Sequence, residues 1–290
     1  MVPWSTDSTE TVVVPIANTE TATRQLETAV EFAADRSARI VLVYICQVPP
    51  QLSLQDGRRY LLTDDDEELL ADAAASVETQ GIPVETRIRL ARGVARGIVG
   101  AVEDYANPTL FLGWRGRPPR QNVILGSYVD RVLRDAECDV LVKRIKTPTG
   151  DVDDILVPVS TGPHAAFAAE TAASLARAND ASVTLLHVVD ADDADIAKTD
   201  ARALLAEMAA SLEDVPSVDR QLVEAADVAG TITDWSATHD VTVLGVSRGG
   251  LLQRRLLGSI SRAVGRHAAG TVILAKRHDP VPSRLKRLFS

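Results

Sequence analysis

The run TLFL (109–112) is followed by GWRGRPPRQNVILGS (113–127) and then by YVDRVLRDAE (128–137). The first piece has the apolar character of a strand, the last has helical spacing, and a glycine-bearing loop joins them. The loop carries Gly113, Gly116, Gly126 and Ser127 in the pattern Gly, two residues, Gly, nine residues, Gly-Ser. A strand that passes through such a loop into a helix is a common phosphate cradle. Glycine lets backbone come close to a ligand, and the first N–H groups of the helix have no partner within it. The same layout returns in VTVLGVSRGGLLQRRLLGS (241–259). That repeat decides the fold class.

Outward from this loop, strand and helix patterns alternate. TVVVP (11–15), ARIVLVYI (38–45), PVETRIRL (83–90), TLFL and DVLVKR (139–144) read as strands. Segments with one apolar face separate them, one through Leu26, Ala29, Val30 and Ala33 and one over 64–81, an acidic start closed by Gly81. CQVPPQLSLQDG (46–57) reads as a loop. TPTGDVDD (147–154) marks a boundary, after which the order restarts with strands at 154–160, 181–190, 217–224, 241 onward and 271–277. Pro15 matches Pro158 at an offset of 143, while Gly113 matches Gly245 and Ser127 matches Ser259 at an offset of 132. The difference falls in the longer 46–63 connection of the first half. The fold expected is α/β: two tandem Rossmann-like domains, each a five-stranded parallel sheet with helices on both faces, packed as an internal pseudo-dimer. The bounds expected are 1–147, 152–279 and a tail at 280–290. In such sheets a ligand sits at the carboxyl ends of the strands, where strand order reverses.

Composition narrows the class. The chain has 290 residues and a formal net charge of −9, which opposes broad nucleic-acid binding. Five lysines against 26 arginines, with 26 aspartates, would suit high salt. No apolar run reaches the ~18 residues of a membrane span. MVPWSTDSTE (1–10) has neither the basic start nor the apolar centre of a secretory signal, so a cytoplasmic location is expected. Cys46 and Cys138 form no CxxC and read as small buried hydrophobes. The five histidines show no metal-ligand spacing.

On the glycine pattern and its copy, the sequence resembles the universal stress protein family. GSYVDRVLRDAECDVLVKR (126–144) and GSISRAVGRHAAGTVILAKR (258–277) look like that family's closing segment. The resemblance implies a non-enzymatic stress or signalling protein that binds ATP or another adenine nucleotide, with or without Mg2+. The implied first site comprises Pro15, Ile16, Ala17, Tyr44, Leu112, Gly113, Arg115, Gly116, Gly126, Ser127 and Tyr128. A weaker second site comprises Pro158, Val159, Ser160, Gly245, Arg248, Gly249, Gly258, Ser259 and Ile260. Two departures stand out. The carboxylate that nucleotide-binding members place after the first strand is Ala17 in one half and Ser160 in the other, with Asn18 next door as a substitute donor. Arg248 also stands where the second glycine of the loop belongs. Further pairing into a homodimer is compatible with the resemblance.

Two other functions fit parts of the sequence. Without the carboxylates the chain would be an interaction scaffold for a transporter or regulator. Gly245-Val-Ser-Arg-Gly249 also spells the nucleophile elbow of hydrolases, centred on Ser247, but that motif needs a helix directly after the serine. In the tail, Arg284, Lys286 and Arg287 alternate with Leu285, Leu288 and Phe289, a basic amphipathic pattern suited to a membrane surface or a partner groove.

Overall fold

The structure is a computed structural model, and it describes residues 10–115, 127–146, 149–189, 195–212, 214–246 and 259–278. In the first half, β1 (Thr11–Ile16), β2 (Arg39–Gln47), β3 (Val84–Ala91), β4 (Thr109–Trp114) and β5 (Asp139–Arg144) alternate with α1 (Thr19–Asp35), α2 (Leu54–Tyr60), α3 (Asp64–Glu78), α4 (Val94–Val102) and α5 (Ser127–Asp135). The second half follows with β6 (Asp154–Pro158), α6 (Pro163–Asn179), β7 (Ser182–Val189), α7 (Asp195–Ala210), β8 (Ser217–Glu224), α8 (Val228–Trp235), β9 (Val241–Gly245), α9 (Ser259–His267) and β10 (Thr271–Lys276).

Every strand expected from the sequence is present. Within each half all pairs are parallel, as the alternating pattern predicts. The halves do not stop at five strands. They merge into one ten-stranded sheet of order β3-β2-β1-β4-β5-β10-β9-β6-β7-β8, and β5 and β10 pair antiparallel at its centre. The sheet is therefore mixed, and the pseudo-dimer is a continuous hydrogen-bonded layer. A strand at the edge of an isolated domain leaves a row of backbone groups unpaired, and each half covers the other's edge.

Strand residues alternate between two cores. Val12, Val14, Leu42 and Phe111 face α1, α3, α6 and α7. Val13, Val43, Leu110 and Leu112 face α4, α5, α8 and α9. Both faces being covered explains why the central strands read as unbroken apolar runs. Cys46 and Cys138 are buried free thiols, as expected, and burial pushes the Cys138 thiol up to about 12.

One connection differs from its expectation. The stretch 46–57 is not all loop: β2 continues to Gln47, and α2 begins at Leu54. Ser53 caps α2 by accepting from the Asp56 N–H at 3.0 Å, and Gly57 is buried against Val48 at the end of β2. The interior glycine masked the helix, while the Ser-x-x-Asp cap was its one sequence signal.

Candidate functional site

In each half the strand order reverses between the first and fourth strands, so a crevice opens beyond β1 and β4 and another beyond β6 and β9. The two differ.

At the first crevice, Ile16 is buried and Ala17 is exposed where the chain leaves β1. Asn18 then starts α1 as its N-cap, its Oδ1 accepting from the Thr21 N–H and from Thr21 Oγ1, each at 3.0 Å. Arg115, exposed at the end of β4, reaches back so that its Nη2 lies 3.4 Å from the same Asn18 Oδ1. Tyr128, in the first turn of α5, donates its hydroxyl to the Gly113 carbonyl at 3.2 Å. Burial pushes the Tyr128 phenol up, and the Arg115 charge counters that push. Asn18, Arg115 and Tyr128 thus converge beside the N-terminus of α5. Donors there suit an anion, because the helix start carries unpaired N–H groups and the positive end of its dipole. The nucleoside end is poorer. Ala17 offers no side-chain acceptor, and Asn18 Oδ1 is already engaged, which leaves its amide N–H group as a donor.

Tyr44 is held elsewhere. Its hydroxyl is pushed up to about 12 by burial and by Asp66, to which it hydrogen-bonds. Burial opposes the charge on Asp66, yet the bonds from Tyr44 and Thr63 hold its carboxyl below the usual range. Tyr44 therefore ties the end of β2 to the start of α3, and its hydroxyl is already engaged. Pro15 and Leu112 lie within β1 and β4 as expected.

The first glycine of each loop has a packing role. A side chain at Gly113 would meet Gln25 Oε1 at 2.8 Å and Ile145 Cδ1 at 2.9 Å. The buried Gln25 amide in turn donates to the Phe111 carbonyl at 2.7 Å, fastening α1 to β4. Gly113 makes room for this bond, so ligand approach is not needed to explain it. Gly116 and Gly126, with the Ser127 side chain, lie outside the described residues.

At the second crevice, α6 lies across the strand end. A side chain at Gly245 would fall 2.7 Å from the His164 backbone carbon and oxygen and 2.8 Å from the Ala165 nitrogen. The first turn of α6 therefore packs directly on the end of β9, whereas in the first half the second turn of α1 meets Gly113. His164 is buried, and its Nδ1 accepts from the Arg277 N–H at 3.1 Å. Arg277 pairs with Asp139 at 2.8 Å and with Glu170, and lies over the Phe167 ring at 4.4 Å. The Val159 carbonyl accepts from His187 Nδ1 at 2.8 Å, and the Val159 N–H donates to Leu186, so that backbone is fully used. Pro158 and Ser160 flank it, half-buried and exposed respectively, and Ile260 is exposed on α9. Arg248, Gly249, Gly258, the Ser259 side chain and Ser247 lie outside the described residues. His267 is exposed on α9.

Sequence comparison supplies the family. A profile of the universal stress protein family matches residues 8–144 and again 152–276. The chain belongs to the universal stress protein family. It is the tandem form, two family units in one polypeptide. A universal stress protein of Methanocaldococcus jannaschii is 25% identical over 143 residues, which is 47% of this chain and 82% of that protein. A Na(+)/H(+) antiporter of Synechocystis is 28% identical over 188 residues, 62% of this chain, and the match spans 26% of the antiporter. The solved structure of a universal stress protein from Archaeoglobus fulgidus superposes with a TM-score of 0.66 at 20% identity, covering 93% of this chain and 97% of that one. At that identity the likeness speaks for the fold alone.

Among the described residues no group of three or more His, Cys, Asp or Glu is placed to hold a metal ion, and no helix is long and apolar enough to cross a membrane.

Three features escaped the sequence reading. Gln25 and its bond to β4 had no signal, since a buried glutamine on an apolar helix face is indistinguishable from a surface one. Likewise nothing in the sequence fixed α6 over β9. The third is the role of Arg144 and Lys276, which look like solvated strand ends in the sequence but reach across the centre of the sheet.

Proposed function

We propose that this universal stress protein is a non-catalytic nucleotide-binding protein that takes ATP or another adenine nucleotide in its first crevice, with a stress or signalling role. The observation that carries the proposal is the difference between the crevices. The first presents Asn18, Arg115 and Tyr128 beside a helix N-terminus. The second has the first turn of α6 packed on the end of β9, and the Val159 backbone there is already paired. Phosphates would take the α5 N–H groups, Ser127 and Arg115, and the base and ribose would rely on main chain near Ile16 and Tyr44 and on the Asn18 amide. Mg2+, where it accompanies the phosphates, would be held chiefly by them. The test is to denature the purified protein, assay for released adenine nucleotide, and titrate the nucleotide-free protein with ATP. Binding that Arg115→Ala weakens supports the proposal, and no binding up to millimolar ATP refutes it.

A second function has its own support. The match to an antiporter over 62% of this chain favours a docking scaffold for a transporter or regulator, and the missing carboxylate at Ala17 is consistent with it. Co-purification of a transporter by nucleotide-free protein would favour this function over the first. A cytoplasmic location goes with either.

A further inference from the structure

A groove of about 480 Å3 runs between α1 and α3, with Thr149 and Gly150 of the inter-half connector on its wall. Its floor is apolar, through Leu26, Val30 and Leu69, and its rim carries Glu27, Glu31 and Asp72 with no lysine or arginine. Glu27 is met from beneath by the buried Lys143 at 3.4 Å. Asp72 makes no ion pair among the described residues and is exposed. Burial raises the Glu31 carboxyl, although a hydrogen bond with Asn179 and the Lys143 charge work against that push.

We propose that this groove is the docking site of the chain's own C-terminal segment, residues 280–290, with Arg284, Lys286 and Arg287 on the acidic rim and Leu285, Leu288 and Phe289 on the apolar floor. Charge is the first argument: three basic residues of the segment face three acids of the rim, and the alternation of Leu and Phe with them matches an apolar floor between charged edges. Position is the second. The chain is pinned just before the segment, because Arg277 pairs with Asp139 and Glu170 and the His278 N–H donates to Asp139 at 2.6 Å. Glu170 and Phe167 belong to α6, so the chain leaves the sheet on the α6 face. Arg177 of α6 pairs with Asp35 of α1 at 2.7 Å, so α6 and α1 are neighbours on that face and the groove lies on α1's other side. Packed helices stand about 8–10 Å apart, which puts the groove about 20 Å from α6. The ten residues from His278 to Leu288 extend to about 33 Å, which is sufficient.

The test uses the full chain with spin labels at Ser290→Cys and at Ala75→Cys, an exposed site on α3; Cys46 and Cys138 are buried. Docking gives a short, narrow distance distribution that broadens in molar salt and in the Asp72→Lys background. Trypsin then cleaves after Arg284, Lys286 and Arg287 several-fold more slowly in the parent than in Asp72→Lys, whose fold is checked by circular dichroism. A broad distribution in the parent overturns the proposal, as does a narrow one that Asp72→Lys and salt leave unchanged. Tail-dependent binding to anionic vesicles that Asp72→Lys does not increase also overturns it, because a tail held on the rim must be released before it can bind elsewhere.

Discussion

Arg144 and Lys276 occupy equivalent positions, 132 residues apart, and each caps a helix of the opposite half. Arg144, at the end of β5, donates to the carbonyls of Gly265 at 3.2 Å and Ala268 at 2.7 Å, and to Gly270, around the C-terminus of α9. Lys276, at the end of β10, donates to the Ala136 carbonyl beyond α5 at 2.8 Å. A cation at a helix C-terminus meets unpaired carbonyls and the negative end of the dipole. Because β5 and β10 are antiparallel, each strand ends beside the other half's last helix, and this exchange fastens the two halves together.

Arg144→Met should therefore cost more than Lys276→Met. Burial lowers the Arg144 pKa and no carboxylate offsets it, so its carbonyl partners are its whole compensation. Losing them strands several buried acceptors, worth about 2–3 kcal/mol, against about 1 kcal/mol for the bond from Lys276 to the Ala136 carbonyl. Urea unfolding of both variants checks this. Equal losses would show that the buried cap contributes nothing beyond an ordinary one.

The loop glycines should differ in the same way. Gly245→Ala drives a methyl into the backbone of α6, which cannot move without shifting the helix. Gly113→Ala meets the ends of two flexible side chains. Overpacking costs about 1–3 kcal/mol, and Gly245→Ala belongs at the upper end with Gly113→Ala at the lower. Thermal unfolding of the two variants orders them.

Much of this architecture was legible. Val12–Val14 and Ile40–Val43 are β-branched or leucine runs whose only sensible place is a strand covered on both faces, and the repeat of the glycine pattern announced two copies. The join was not legible. DVLVKR (139–144) is apolar enough to be central, but nothing in it says whether its second neighbour runs parallel or antiparallel. The candidate site was half legible. Resemblance led to Arg115 and Tyr128 and exposed the gap at Ala17. The sequence could not show that Gly113 serves Gln25, or that α6 sits a turn nearer its strand end than α1 does. Helix placement is set by packing volume summed over many side chains, and no single motif carries it.

Glu31 and Asp35 should give opposite pH responses. Burial raises the Glu31 carboxyl, while Asp35 is held low, its burial outweighed by the Arg177 guanidinium. A raised folded-state value favours the fold at low pH and that contribution fades as pH rises; a depressed value contributes above the unfolded value of about 3.9 and is lost below it. Glu31→Gln should thus stabilise at pH 7, the gain shrinking as pH falls through about 4. Arg177→Met should destabilise at pH 7 by about 1 kcal/mol or less, with the loss shrinking as pH falls below the unfolded aspartate value of about 3.9. Denaturation midpoints at both pH values check the signs.

Restoring a carboxylate at Ala17 should strengthen nucleotide binding. One hydrogen bond to a charged acceptor is worth about 1.5 kcal/mol or more, so Ala17→Asp should tighten ATP by about tenfold. Ser160→Asp should not create a second site, because the first turn of α6 packs on the end of β9 there.

Calorimetric titration of the nucleotide-free protein with ATP tests the central claim most directly. The asymmetry of the crevices predicts one equivalent bound per chain, weakened by Arg115→Ala and untouched by Ser160→Ala. Two equivalents, or one that Arg115→Ala leaves unchanged, would contradict it.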